Sequence, residues 1–219
     1  MTFNVPLQPD RLVGYESSKA YRRRCATGFW AAFVPGPVIL DIGYRGGVPT
    51  ALPILQGAIG VELGHLRIDE HTPAAAVSAA TDAEYSGLHL PFASGSVDCV
   101  HASHILEHVT PPSAYLQEWY RVLRIGGTMI LMLPHAFLYE RKLSMPSRWS
   151  GEHLRAYTPS MLLTEIEVSL PPNGYRVRHL ADNDEGYDYT LPSTTHPTGC
   201  LEIECVIEKR QIPAWSIEY

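Results

Sequence analysis

Apolar positions in this chain fall into short strand-like runs separated by stretches with helical spacing. Residues 97–102 (VDCVHA) form a β-rich run behind the turn residues Ser94-Gly95-Ser96, which reads as a strand buried on both faces. Leu116, Trp119, Tyr120 and Leu123 then recur at i, i+3, i+4 and i+7, drawing an apolar stripe down one side of a helix. Pro111 and Pro112 set the start of that helix, and Gly126-Gly127 supplies a positive-φ stop. Residues 128–133 are a second apolar strand, ended by Pro134, and a short helix is expected between the first strand and the prolines, over ASHILEHV. The unit is one right-handed β-α-β crossover of a parallel sheet.

The same reading extends in both directions. Residues 38–43 (VILDIG) are a mostly apolar strand running into a glycine turn, the expected first strand of a Rossmann-like sheet. Residues 58–61 are a second strand, ending at Glu62, and residues 50–57 leave room for only a short helix carrying Pro53. Thr72-Pro73 opens an alanine-rich helix. Thr158-Pro159 opens another as N-cap and first turn, with Leu162, Leu163 and Ile166 facing inward. Residues 175–180 and 200–208 alternate as the last two strands, and residues 192–199 read as a loop over the active-site edge.

The phrases LPF, SVDCV, ASHILEHV, EWYRVLRIGG and MILMLPH, in that order between Gly87 and His135, resemble the central segment of class I S-adenosylmethionine-dependent methyltransferases. The likeness is greatest to the small-molecule branch of quinone, lipid and cell-surface sugar pathways. It implies an α/β fold: a Rossmann-like, seven-stranded, mostly parallel sheet with an antiparallel last strand and helices on both faces. One methyltransferase domain is expected over residues 1–219. Within it, 1–36 would be an N-terminal helical cap, 37–135 the cofactor-binding core, 136–174 an acceptor-side insertion and 175–219 the C-terminal strands.

The resemblance also implies S-adenosyl-L-methionine as cofactor. The family loop Asp-x-Gly-x-Gly-x-Gly corresponds here to Asp41, Ile42, Gly43, Tyr44, Arg45, Gly46 and Gly47, with Arg45 in place of the middle glycine. Glycine serves there because backbone passes close to the ligand with unusual dihedrals. Arg45 therefore either points away while Gly46 takes the strain, or grips the cofactor carboxylate with its guanidinium. Glu62 follows Gly43 at near the spacing of about twenty at which such an acid meets the ribose hydroxyls; otherwise it is a solvated strand-end acid. Ser86 stands where relatives carry an adenine-binding acid, which shifts adenine contacts to backbone at Gly87 and Leu88. Ser103 and His104 lie at the strand end where cofactor and acceptor meet.

On the acceptor side, His135 directly follows the second strand of the crossover, and His153 lies in SRWSGEHLRAYTP beside Trp149, Arg155 and Tyr157. That segment resembles the acceptor-side insertion of methyltransferases from polysaccharide gene clusters. An imidazole titrates near neutrality, so either histidine can be the base or hold a structural hydrogen bond. Trp149, Arg155 and Tyr157 are the expected substrate contacts. His104, Glu107 and His108 would share one helical face. They resemble a Glu-x-x-Glu-His phrase that binds a divalent cation in some methyltransferases, with His at the first position. The Glu-His pair is also widespread where it is only structural, and no metal is expected.

A net charge of −6 over 219 residues argues against DNA or structured RNA as substrate. Arg22-Arg23-Arg24 is the one dense basic run and reads as the solvated side of a helix whose inner face is Tyr21, Cys25 and Phe29. No apolar run approaches the roughly twenty residues of a membrane helix, no signal-type leader is seen, and four scattered cysteines read as reduced and cytoplasmic. The expected activity is O-methylation of a sugar or other small hydroxylated metabolite. The alternative is a catalytically silent subunit of the same fold that supports a partner enzyme, suggested by Arg45, Ser86 and the clipped first helix. Oligomeric state is open.

Overall fold

The computed structural model describes residues 3–9, 12–13, 15–45, 48–62, 65–68, 70–79 and 88–215. The elements are α1 (Tyr15–Ala26), α2 (Phe29–Phe33), β1 (Ile39–Ile42), β2 (Ile59–Glu62), β3 (His65–Arg67), α3 (Ala74–Ala79), β4 (Val97–Ser103), α4 (Pro112–Val122), β5 (Leu123–Pro134), α5 (Pro159–Ser169), β6 (Tyr175–Asn183) and β7 (Glu202–Lys209). A π-helical turn over Ala136–Glu140 follows β5. The seven strands make one sheet in the order β3-β2-β1-β4-β5-β7-β6. β2, β1, β4 and β5 are parallel, while β7 runs antiparallel to both β5 and β6. The fold class is thus as the sequence implied. The additional antiparallel pairing of β3 on β2 carried no sequence signal.

Alternation along the strands divides the core into two layers. Leu40, Val100, Ala102, Met129 and Leu131 point to one face, where they meet Leu116 and Trp119 of α4 and Leu162 and Ile166 of α5. Ile39, Cys99, Ile130, Met132 and Val206 point to the other, against Tyr21, Trp30, Ile54 and the N-terminal segment. Every residue of β4 is buried, including the polar Asp98, His101 and Ser103.

Four expectations are corrected. α4 begins as predicted, with Pro111 at its N-cap, but it ends at Val122, and Leu123 already pairs with Val97 as strand. The positive φ of Gly126 (76°) lies inside β5, where the register with β4 shifts between Val97 and Cys99, so the glycine pair makes a bulge rather than a helix stop. Residues 104–109 form turns, because His104 takes φ 56° and leaves the helical region at once. No helix forms over residues 50–57; Leu52 and Leu55 instead bridge to Val13 and Leu7, which ties this stretch to the N-terminal arm.

The fourth correction concerns the basic run. Arg22 is exposed, but Arg24 is completely buried, with Nη2 2.6 Å from Glu202 Oε2 and Nε 2.9 Å from Glu204 Oε1. Two acids on one face of an otherwise apolar strand draw this arginine inward. Arg23 joins them, 2.5 Å from Glu204 and 3.0 Å from the half-exposed Glu185.

Candidate active site

The C-terminal ends of β1, β2 and β4 meet around the Gly43 turn. Register places Ile42 beside Val61 and Ala102, so Gly43, Glu62 and Ser103 follow at neighbouring strand ends. Gly43 has φ 68°, and a Cβ there would collide with the Ile105 side chain, so both the backbone conformation and the packing of this turn call for glycine. The Ser103 hydroxyl is buried without a hydrogen-bond partner. A glycine turn, a carboxylate and an orphaned hydroxyl at adjacent strand ends suit the hydroxyls and charged end of an aminoacyl nucleoside.

Beneath this edge, the buried Asp41 carboxylate is fully used. Oδ1 lies 2.6 Å from His101 Nδ1, and Oδ2 accepts from the Ile54 N–H at 2.5 Å. Asp41 therefore holds the turn in place from below. Glu62 Oε1 accepts the Arg45 backbone N–H at 3.0 Å. The Arg45 side chain lies on its neighbour: its Nε donates to the Tyr44 hydroxyl at 3.0 Å, and its guanidinium lies over the Tyr44 ring. Tyr44 itself is buried and packs on Gly60, whose Cβ, if present, would lie 2.6 Å from the ring. Leu88 is exposed, and Gly46, Gly47, Ser86 and Gly87 lie outside the described residues.

Beyond β4 the chain builds an acid–histidine cluster. Glu107 is completely buried in the 104–109 turn, and neither of its carboxylate oxygens has a hydrogen-bond partner. Its Oε1 lies 3.6 Å from His104 Nδ1, 3.7 Å from His108 Nε2 and 4.0 Å from His153 Nε2. His153 arrives from a separate loop that is pinned to the turn at several points. The Leu154 N–H donates to the Glu107 carbonyl at 2.9 Å. Arg155 Nη1 donates to the carbonyls of Leu106 and Val109, and Nη2 reaches Thr110 Oγ1 at 3.0 Å. Arg155 is therefore a strap between loops, its donors turned to the protein.

Glu140, buried on the π-helical turn, accepts from His153 Nδ1 at 3.0 Å and from the Arg148 N–H at 2.9 Å. Burial pushes its carboxyl up, but hydrogen bonds from Ser147, Arg148 and His153 outweigh that and hold it below the usual carboxylate value. On the far side, His104 Nε2 lies 3.0 Å from Glu202 Oε1. Glu202 too is raised by burial and, more strongly, lowered by Arg24, His104 and Asn183, ending well below the ordinary range.

His135 is brought to this region but is differently engaged. Its Nδ1 accepts the Phe137 N–H at 3.0 Å, so in the neutral ring the proton sits on Nε2, 3.4 Å from Asp182. Burial pushes its pKa down, and Asp182 offsets part of that. The ring caps the π-helical turn, with its Nδ1 lone pair taken by the Phe137 N–H. Trp149 donates Nε1 to the Tyr139 carbonyl at 2.8 Å and stands edge-on to His196, while Tyr139 stacks near His153. Tyr157 is in the core and its backbone bridges to His135; burial raises its phenol.

The sequence thus located His104, Glu107, His108 and His153, but not Glu140 or Glu202. The signal for both was available: acidic residues inside otherwise apolar segments, LYE and LEIEC, which fold only with a buried partner.

Comparison with known proteins agrees with this layout. A model of the family described as "Methyltransferase domain" matches residues 40–131. A Mycobacterium marinum protein named "Uncharacterized methyltransferase" is 32% identical over 130 residues, covering 57% of this chain and 51% of the relative. An uncharacterized 37.1 kDa protein of transposon TN4556 from Streptomyces fradiae is 29% identical over 133 residues, 57% of this chain and 37% of that protein. The chain thus spans about half the length, or less, of these curated relatives. Among solved structures, a methyltransferase-named protein from Bacillus halodurans superposes with a TM-score of 0.54 at 15% identity, over 87% of this chain and 99% of that one, which shows the fold alone. Residues 40–131 thus match the methyltransferase-domain family, and the sheet shares its fold with a methyltransferase-named structure.

Proposed function

We propose that the chain transfers a methyl group from S-adenosylmethionine to a hydroxyl of a small metabolite, a sugar or similar hydroxylated compound, in the cytoplasm. The observation that carries this reading is the acid–histidine cluster next to the Gly43 turn, with Glu107 and His153 at its centre. When bound, the cofactor supplies a methyl group on a sulfonium, open to in-line displacement. Gly43, Glu62 and Ser103 would hold it at the strand ends. A hydroxyl is a poor nucleophile until its proton leaves, and a positioned base contributes about 10²–10⁴-fold. His153 suits that task better than His135, because Glu140 takes the Nδ1 proton and leaves Nε2 as the acceptor. Tyr139, Trp149 and His196 offer ring faces of the kind that sugars pack on.

A second reading, a silent subunit that supports a partner enzyme, is favoured by one observation: Glu62 spends a carboxylate oxygen on the Arg45 N–H. Titration calorimetry with S-adenosylmethionine separates the two. Binding at micromolar levels, followed by methyl transfer from labelled cofactor into a hydroxylated fraction of cell extract, supports the first. No binding at millimolar cofactor removes it.

A further inference from the structure

We propose that Glu107, His108 and His153 bind one divalent transition-metal ion. One ligand atom from each lies within 4.8 Å of the other two. The argument rests on which of these atoms carry protons. His108 Nδ1 lies 3.1 Å from the Glu152 carbonyl, which can only accept, so Nδ1 carries the hydrogen and Nε2 presents a lone pair. His153 Nδ1 lies 3.0 Å from the Glu140 carboxylate, which fixes the same tautomer. Both lone pairs face a buried carboxylate whose oxygens have no donor at all. Three acceptors converging without a proton or cation between them repel one another, and burial makes an uncompensated carboxylate costly.

Two things can resolve the repulsion: a proton on an imidazole, or a metal. The separations of 3.7 and 4.0 Å from Glu107 Oε1 to the two Nε2 atoms are too long for the N–H···O bonds that an imidazolium would form. They fit an ion held between them, since ligands about 2.1 Å from one metal stand about 3.0–4.2 Å apart, depending on the angle. The surroundings are those of a metal site as well. Each histidine gives its second nitrogen to a carbonyl or carboxylate, the arrangement that orients imidazole ligands and raises their basicity.

The trio differs from the one suggested by the sequence: His104 turns Nε2 to Glu202, and His153 from a separate loop takes its place. Two imidazoles and one carboxylate select ions of the Mn²⁺ to Zn²⁺ series over Mg²⁺ and Ca²⁺, which prefer all-oxygen sites. Three protein ligands leave positions open, and a hydroxyl bound there would lose its proton more readily. The site coincides with the one where the acceptor is read to lose its proton; with the ion bound, His153 Nε2 is a ligand, and the acidity of a metal-bound hydroxyl replaces the base role given to that nitrogen above. Metal binding is measured without cofactor or acceptor, however, so it fails or succeeds independently of the methyl-transfer reading.

The test is titration of chelator-stripped full-length protein with Zn²⁺, and with Co²⁺ followed by visible absorption. The expected result is one equivalent bound, with Co²⁺ bands of nitrogen–oxygen ligation. His108→Asn and His153→Ala should each weaken binding by at least about tenfold while far-ultraviolet circular dichroism is unchanged. His108→Asn keeps the test open if the more buried His153 variant fails to fold. Absence of stoichiometric binding, a thiolate charge-transfer band, or undiminished affinity in the folded variants would overturn the proposal.

Discussion

Replacing Arg24 by Met tests a completely buried charge. The substitution keeps the apolar stem and removes the guanidinium that lies 2.6 Å from Glu202 and 2.9 Å from Glu204. Breaking a buried pair from one side costs about 3–5 kcal/mol, because the remaining charge stays buried. Here each acid keeps other donors. Glu202 retains Asn183 at 2.9 Å and His104 at 3.0 Å, and Glu204 retains Arg23 at 2.5 Å and His179 at 3.4 Å. The lower end, about 3 kcal/mol, is therefore expected, which for a chain of this size lowers Tm by about 6–12 °C. Calorimetry at pH 7 measures it, and adding Glu202→Gln and Glu204→Gln should recover at least about half of the loss. The effect has a sign in pH. Glu202 is depressed below its unfolded value of about 4.3, so the stability it contributes is complete above that pH and is lost as pH falls further. The gap between wild type and Arg24→Met should therefore narrow below about pH 4. A variant that melts within about 1 °C of wild type at pH 7, or a gap unchanged from pH 7 to 3, refutes the reasoning.

Gly43→Ala must adopt φ 68° with a side chain that meets Ile105. The strain alone is about 1–2 kcal/mol, and calorimetry should show at least about tenfold weaker S-adenosylmethionine binding; unchanged affinity would show that the turn is not where the cofactor sits. Burial pushes the Cys99 and Cys205 thiols up to about 12, leaving on the order of one thiolate in 10⁴ at pH 8. Ellman's reagent should thus label the half-buried Cys25 first and reach Cys99 and Cys205 only on unfolding, and stability should decline as pH rises above about 8.5, where the unfolded thiols ionise. Arg155→Gln loses the strap to Leu106, Val109 and Thr110, so amide exchange over residues 104–110 should speed up by at least about tenfold, read by mass spectrometry.

What could be read from the sequence is what local rules determine. The second half of β5 is buried on both faces, so its residues are apolar in an unbroken run, β4 is buried throughout with apolar residues at most positions, and the spacing of Leu116 and Trp119 marked the face of α4. Thr158 caps α5 as its residue type suggests, with Oγ1 accepting the Met161 N–H at 3.3 Å. Where prediction failed, a distant residue decided the outcome. Three consecutive arginines on a short helix look solvated until Glu202 and Glu204, far along the chain, claim one of them. His104, Glu107 and His108 seemed to share a helix face, yet the backbone reverses at His104 and His153 completes their cluster from another loop. The glycine pair at 126–127 was recognised as a positive-φ position, but the strand pairing of Leu123 decided what kind.

β7 follows every other described strand in the chain, yet it lies inside the sheet, hydrogen-bonded to β5 on one side and β6 on the other. Until it docks, β5 and β6 each present an open row of backbone donors and acceptors, an invitation to pair with another chain. A nascent or truncated molecule without residues 202–209 would therefore carry two sticky edges, and aggregation rather than lost activity would be the first sign of damage there. The quality of this protein's folding is staked on the arrival of one late strand.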